Sequence, residues 1–263
     1  LDNDEFAYIN DIIKDNYNLE DEIIKNNELE EIKSYLEDNF DEMDIDIFKE
    51  TLGLTDEIPK TRRVLGEKYG IPVYSTPEIH VGINKNYCMT EKLTSASVRY
   101  IYKEEPLQLK DFKITAFEVP HDGTDNVGYC IEVGGRVFSF LTDLGSITPT
   151  AAKYICMANH LVIEANYDDE MLKMGTYPKH LKERISGPNG HMCNRDTAEF
   201  LAENMHEGLE NIWLCHLSKD NNHPELAYKT VEFILRRKGI CVGKDVQLAA
   251  LKRNTPSEYK VFE

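Results

Sequence analysis

Three strand-like apolar runs in this chain end on residues that can bind a metal ion. Val119 leads through Pro120 into His121, Phe140-Leu141-Thr142 leads into Asp143, and Ile212-Trp213-Leu214-Cys215 leads into His216. A single polar residue at a strand end is commonplace, since an aspartate there caps the next turn as readily as it serves a site. Three such ends carrying His, Asp and His form a ligand set for Zn²⁺, Mn²⁺ or Fe²⁺. A carboxylate can bridge two ions, whereas each imidazole serves one. The carboxyl ends of strands are also where α/β sheets bind ligands. A fourth stretch, Arg184-Ile185-Ser186-Gly187-Pro188-Asn189-Gly190-His191-Met192-Cys193-Asn194, exposes His191 in a glycine-rich loop. His191 could protonate a leaving group or hold a phosphate; a purely loop-ordering role is the alternative. Asn194 suits the N-cap of the helix that follows.

The pattern around these residues predicts elements able to position them. Residues 5–52 repeat apolar positions at helical spacing between acidic faces. Residues 64–69 read as a short helix ended by Gly70, and 71–74 as a strand opened by proline. Strands are expected at 98–102 and 113–119. Residues 128–133 and 136–141 should pair as a hairpin across Gly134-Gly135, a turn dipeptide suited to positive φ. Beyond Asp143 helix and strand alternate. Helices are expected at 148–157, 168–174, 179–185, 195–205 and 224–237, with strands at 161–165, 212–215 and 246–251. Meandering strands followed by β/α alternation predict a layered α/β domain, 61–263, with helices outside. An acidic helical segment, 1–60, precedes it.

Charge divides the chain in the same way. Of the formal net charge of −17, residues 1–60 carry −15, with 20 Asp/Glu against five Lys. The remainder is nearly neutral and shows no basic stripe of the kind that marks a dedicated nucleic-acid binder. The acidic helices could serve as a docking module for a protein partner, although solvated faces are the plainer reading. No run of about eighteen apolar residues predicts a membrane span. The opening Leu-Asp-Asn-Asp-Glu lacks the basic flank and apolar core of a secretory signal. The six cysteines include no C-x-x-C pair, and Cys130, Cys156 and Cys215 lie in apolar runs. Reduced, core-packed thiols and a cytoplasmic location are expected. His80, His160, His180 and His206 have no strand-end company and read as structural or surface residues, and His223 as a solvent-facing residue at a helix start.

Taken together, HDGTDNVGY, FLTDLG, LVIEANYDDEML, GTYPKHLKERISGPNGHMCN and LCHLSKDNNHPELA resemble the metallo-β-lactamase superfamily, in its YycJ/WalJ-type branch. The upstream KYGIPVYSTPE fits the same branch, and the resemblance covers roughly residues 62–250. It implies an αββα sandwich and two divalent metal ions, Zn or Mn. His121 would ligate the first ion, Asp143 would bridge both, and His216 would ligate the second. His191 would act beside them on the substrate, with Asn194 and Ser218 as further substrate-binding residues. The implied reaction is hydrolysis of phosphodiesters, with nucleic acid as substrate and exonuclease activity, by metal-activated water. A thiolesterase or lactonase of the same fold, or a metal-poor binding domain, are the alternatives. One departure stands out. The superfamily's His-x-His-x-Asp-His motif should precede residues 64–69, where this chain reads Leu54-Thr55-Asp56-Glu57-Ile58-Pro59-Lys60-Thr61, and the first histidine is His80.

Overall fold

The computed structural model describes residues 41–51, 66, 68–87, 92–253 and 257. Most of the expected acidic helical segment lies outside these residues. The chain forms two compact units: Leu1–Pro72 with Thr94–Ser97, and Val73–Leu93 with Val98–Glu263. In the first, helix α1 (Glu42–Thr51) carries Glu42 and Asp44 in its first turn and Lys49 in its last, the polarity that suits its dipole. Its buried Glu50 accepts hydrogen bonds from Lys68 and Tyr69. Gly70 then turns the chain at φ 63°.

The second unit holds the remaining elements. A short parallel pair, β1 (Val73–Ser75) and β2 (Val98–Tyr100), flanks helix α2 (Pro77–Lys85). Seven strands then form one sheet in sequence order: β3 (Pro106–Leu109), β4 (Phe112–Glu118), β5 (Val127–Val133), β6 (Arg136–Leu141), β7 (His160–Glu164), β8 (Asn211–Cys215) and β9 (Gln247–Ala250). The first four are antiparallel neighbours and the last four parallel. Gly134 and Gly135, at φ 58° and 77°, make the two-residue turn between β5 and β6. The mixed α/β architecture agrees with the layered fold read from the sequence, and the elements after Asp143 end within about two residues of expectation.

The parallel half fixes where the helices go. A β-helix-β crossover is right-handed almost without exception. Strands β6 to β9 lie side by side in chain order, so successive crossovers place their helices on one face. Accordingly Ala151, Tyr154 and Ile155 of α3 (Pro149–Met157), Ala198 and Leu201 of α6 (Asn194–Glu203), and Val231 and Leu235 of α7 (Pro224–Arg237) share one core with Leu141, Leu161, Ile163, Ile212 and Leu214. The shorter helices α4 (Asp169–Met174) and α5 (Lys179–Ile185) lie in the β7–α6 connection. Thr148 and Asp168 cap α3 and α4, each side chain accepting a backbone N–H of the first turn. The cap of α6 is Cys193, whose sulfur accepts from Asp196 N at 3.3 Å, and not Asn194, which is the first helical residue. Among the described cysteines Cys130, Cys193 and Cys215 are buried, and burial pushes the Cys193 thiol to about 12. Cys156 is exposed, against expectation, because it falls on the outer side of α3. No described helix is long and apolar enough to cross a membrane.

The loop from β4 to β5, which carries His121, is pinned by Asp125. The Thr76 hydroxyl donates to Asp125 Oδ2 at 2.6 Å and Lys103 Nζ to Oδ1 at 2.5 Å. Burial raises the Asp125 carboxyl, but Lys103 and Thr76 outweigh it and hold the group below its ordinary 3.8. Asp125→Asn should therefore lower stability by about 2 kcal/mol at neutral pH. A depressed carboxylate contributes above its unfolded pKa and loses that contribution as pH falls through the folded value. The difference between wild type and variant, read from urea unfolding, should vanish as pH drops below 3.8.

Candidate active site

The carboxyl ends of β6, β7 and β8 lie along one edge of the sheet and deliver Asp143, Glu164 and His216. His121 arrives from the end of β4 and His191 from the loop before α6. His121 Nε2 lies 3.5 Å and His216 Nε2 3.6 Å from Asp143 Oδ1. The His191 ring sits between the other two imidazoles, 4.8 Å from that of His121 and 5.2 Å from that of His216. The four residues singled out from sequence thus converge on one edge.

Glu164 was not among them, and it organises the group. Its side chain has no exposed surface. Oε1 accepts from His191 Nδ1 at 2.6 Å and from His216 Nδ1 at 2.9 Å, and Oε2 accepts from Leu144 N. Burial pushes this carboxyl up, yet the hydrogen bonds from the two imidazoles, the charge of His191 and Leu144 N hold it below the ordinary range. In return its hydrogen bond raises the pKa of His216 against the opposing effect of burial. With Nδ1 engaged on Glu164, each imidazole keeps Nε2 for the open side. His121 follows the same rule by a different acceptor, Nδ1 lying 2.8 Å from Gly190 O. The one sequence signal for Glu164 was an apolar run, Leu161-Val162-Ile163, ending on an acid, the pattern already noted for Asp143.

Two loops must touch for this to happen. A Cβ on Gly145 would lie 2.4 Å from Pro188 O, and one on Gly190 would lie 2.2 Å from the carbonyl oxygens of Arg184 and Ile185. Only glycine permits these approaches. Gly145 N donates to Pro120 O at 2.8 Å, which ties the Asp143 turn to the His121 loop. Asp143 and His216 themselves adopt left-handed backbone, at φ 52° and 55°. The His216 carbonyl is held by Asn166 Nδ2 at 2.7 Å. Strain of this kind persists only where surrounding contacts fix it, and it gathers at functional sites.

Of the expected substrate-binding residues, Asn194 is buried behind the site and exchanges amide hydrogen bonds with Asn222 at 2.9–3.0 Å. Ser218 is half-buried two residues after His216, its hydroxyl accepting from Asn221 N at 3.2 Å. Asp122, beside His121, is held by a two-pronged contact from Arg184 that lowers its pKa.

The donor set fits a divalent ion. Across a tetrahedral zinc site, ligand atoms about 2.1 Å from the metal stand about 3.4 Å apart, close to the two separations from Asp143 Oδ1. His121, Asp143 and His191 each offer a ligand atom within 4.8 Å of the others. Glu164, His191 and His216 do so as well, but there the carboxylate is already occupied by three N–H groups. Its place is that of an outer acceptor, which orients histidines where they bind a metal. Any further ligand from residues 1–79 is not an imidazole, since His80 is the first histidine.

A family model described as a beta-lactamase superfamily domain matches residues 55–209. This chain belongs to that superfamily. Within it, the chain groups with the YycJ/WalJ branch. It is 33% identical over 189 residues to a Bacillus anthracis protein named exodeoxyribonuclease YycJ, covering 70% of this chain and 69% of that one. It is 31% identical over 185 residues to exodeoxyribonuclease WalJ of Streptococcus pneumoniae serotype 2, strain D39, covering 70% and 68%. Among solved structures, unliganded yeast PDE1 matches with a TM-score of 0.50 at 11% identity, over 69% of this chain and 58% of that one. At that identity the likeness speaks for the superfamily fold alone. The chain spans less than two thirds of that structure's length and a little over two thirds of the two named relatives.

The left-handed backbone at Asp143 gives a test of the site's architecture. An alanine there bears a cost that glycine avoids, about 1 kcal/mol. Asp143→Gly should be the more stable of the two variants by that amount in urea unfolding, although both lose the carboxylate. Equal stabilities would mean that the turn relaxes once the carboxylate is gone.

Proposed function

We propose that this chain is a metal-dependent phosphodiester hydrolase acting on nucleic acid, an exodeoxyribonuclease like its named relatives. The convergence of His121, Asp143 and His216, with His191 between them on the buried Glu164, carries the reading. Two divalent ions, Zn or Mn, suit the donor types. His121 and Asp143 would hold one, and Asp143 and His216 the other, with Asp143 common to both. Bound ions supply activated water and stabilise charge on the phosphoryl oxygens.

The chain's own residues have separable tasks. Glu164 fixes the imidazoles of His191 and His216 and keeps Nε2 of each on the open side. His191 makes no hydrogen bond to Asp143, and with both ring nitrogens protonated it is the group placed to pass a proton from Nε2 to the leaving oxygen. Asn166 holds the His216 turn. Asn194 supports the site from behind through Asn222, and Ser218, two residues after His216, faces substrate. Tight packing of the 188–190 loop against Gly145 keeps the cluster from spreading.

The experiment is cleavage of an end-labelled DNA strand by the full chain with added Mn²⁺ or Zn²⁺. Stepwise release of nucleotides is expected, abolished by chelator and reduced at least about 100-fold in Asp143→Ala. His191→Ala should lower kcat by about 10²–10⁴ with little change in KM, as loss of a general acid does. Absence of cleavage with either metal, in protein that melts cooperatively, would overturn the reading.

A further inference from the structure

The edge that carries the site has a fourth strand end. Strands β6, β7 and β8 deliver an aspartate, a glutamate and a histidine, and β9 runs parallel beside β8. Leu251 N still donates to Leu214 O at 2.8 Å, so the pairing persists one residue past β9. The next two residues, Lys252 and Arg253, are exposed at the same edge as His216. Arg253 NH2 donates to Leu217 O at 2.7 Å, the carbonyl of the residue that follows His216. Its charge reaches His216, where it opposes the upward pull of Glu164. Among the described residues, no carboxylate forms an ion pair with Lys252 or Arg253.

This placement answers an electrostatic need. The site presents Asp143 to an incoming phosphodiester, with the charge of Glu164 buried behind the imidazoles, and Asp122, also nearby, is already neutralised by Arg184. An anionic strand needs a cation at the rim that is not spent on a protein carboxylate. A guanidinium has five N–H donors in a planar fork matched to phosphate oxygens. One of these is used on Leu217 O, which fixes the group and leaves the others for a ligand. A lysine, a point charge on a flexible stem, would be less well aimed.

We propose that Arg253 is a phosphate-binding residue of this site, gripping a backbone phosphate that flanks the scissile one on a single DNA strand. The proposal rests on the nuclease reading for its ligand, but its test does not require turnover. Binding of a fluorescein-labelled single-stranded dodecamer to the full chain would be followed by anisotropy in chelator over a series of NaCl concentrations. Arg253→Ala should raise Kd about tenfold, and the slope of log K against log salt should shrink by about 0.7, the loss of one phosphate contact on a single strand. Arg253→Lys keeps the charge but replaces the planar fork with a flexible stem. It should keep the wild-type salt slope, with an affinity between those of the wild type and Arg253→Ala; a role only in holding the Leu217 loop would lower affinity in Arg253→Ala without changing the slope. Wild-type affinity and slope in Arg253→Ala would overturn the proposal, as would an unchanged slope in Arg253→Ala or no binding by the wild type. Normal wild-type binding, weakened with the smaller slope in Arg253→Ala but without cleavage under any metal, would leave the phosphate grip in place and overturn only the enzymatic reading.

Discussion

A carboxylate with no solvent contact has to be met by donors on every side, or it would not stay ionised. Glu164 is met by Leu144 N and by two imidazoles, and this one constraint organises the whole edge. It draws the turn after Asp143 onto the end of β7 through Leu144. It draws the glycine-rich loop inward through His191 and the end of β8 through His216. Breaking such a group by removing a partner costs far more than the hydrogen bonds are worth singly, because the buried charge is left uncompensated. The three loops are thus committed to one arrangement.

The rest of the fold can be seen as what brings these donors to Glu164. Right-handed crossovers in chain order leave β6, β7 and β8 parallel, with their carboxyl ends together and their helices on one face. That arrangement buries Leu141, Leu161, Ile163 and Leu214 in the core. It puts the polar residues that follow each strand beyond the core's edge, where ion chemistry is possible. Gly145 and Gly190 allow the loops to close to backbone contact, and the left-handed turns at Asp143 and His216 aim their side chains back over the strand ends. Asp125 fixes the remaining approach, from β4.

Much of this was legible in sequence because the signals were local. An apolar run ending on His or Asp marks a strand end without any knowledge of what lies beside it, so His121, Asp143 and His216 could be picked out. Gly134-Gly135 set the hairpin and Pro224 opened the last long helix. Glu164 carried the same local signal but no role, because its partners lie 27 and 52 residues downstream and only the topology brings them to it. Helix α2 was missed although Thr76-Pro77-Glu78 spells a capped start, since nine residues hold little periodicity. Strand β3 begins at a proline and pairs on one side only, so its pattern was weak. The cap of α6 fell on a cysteine, a residue type outside the usual capping set.

The arrangement depends most on which nitrogen of each imidazole faces Glu164. Long-range ¹H–¹⁵N spectra of histidine-labelled, metal-free protein report the tautomer of each ring directly. They should be taken at a pH high enough to leave the imidazoles neutral, with His191→Gln and His216→Gln for assignment. In that neutral state His191 and His216 should both carry their proton on Nδ1, directed at Glu164, leaving Nε2 bare. Protons on Nε2 in both rings would contradict the arrangement, because Glu164 would then have no donors from either histidine and His216 Nε2 could not serve as a ligand.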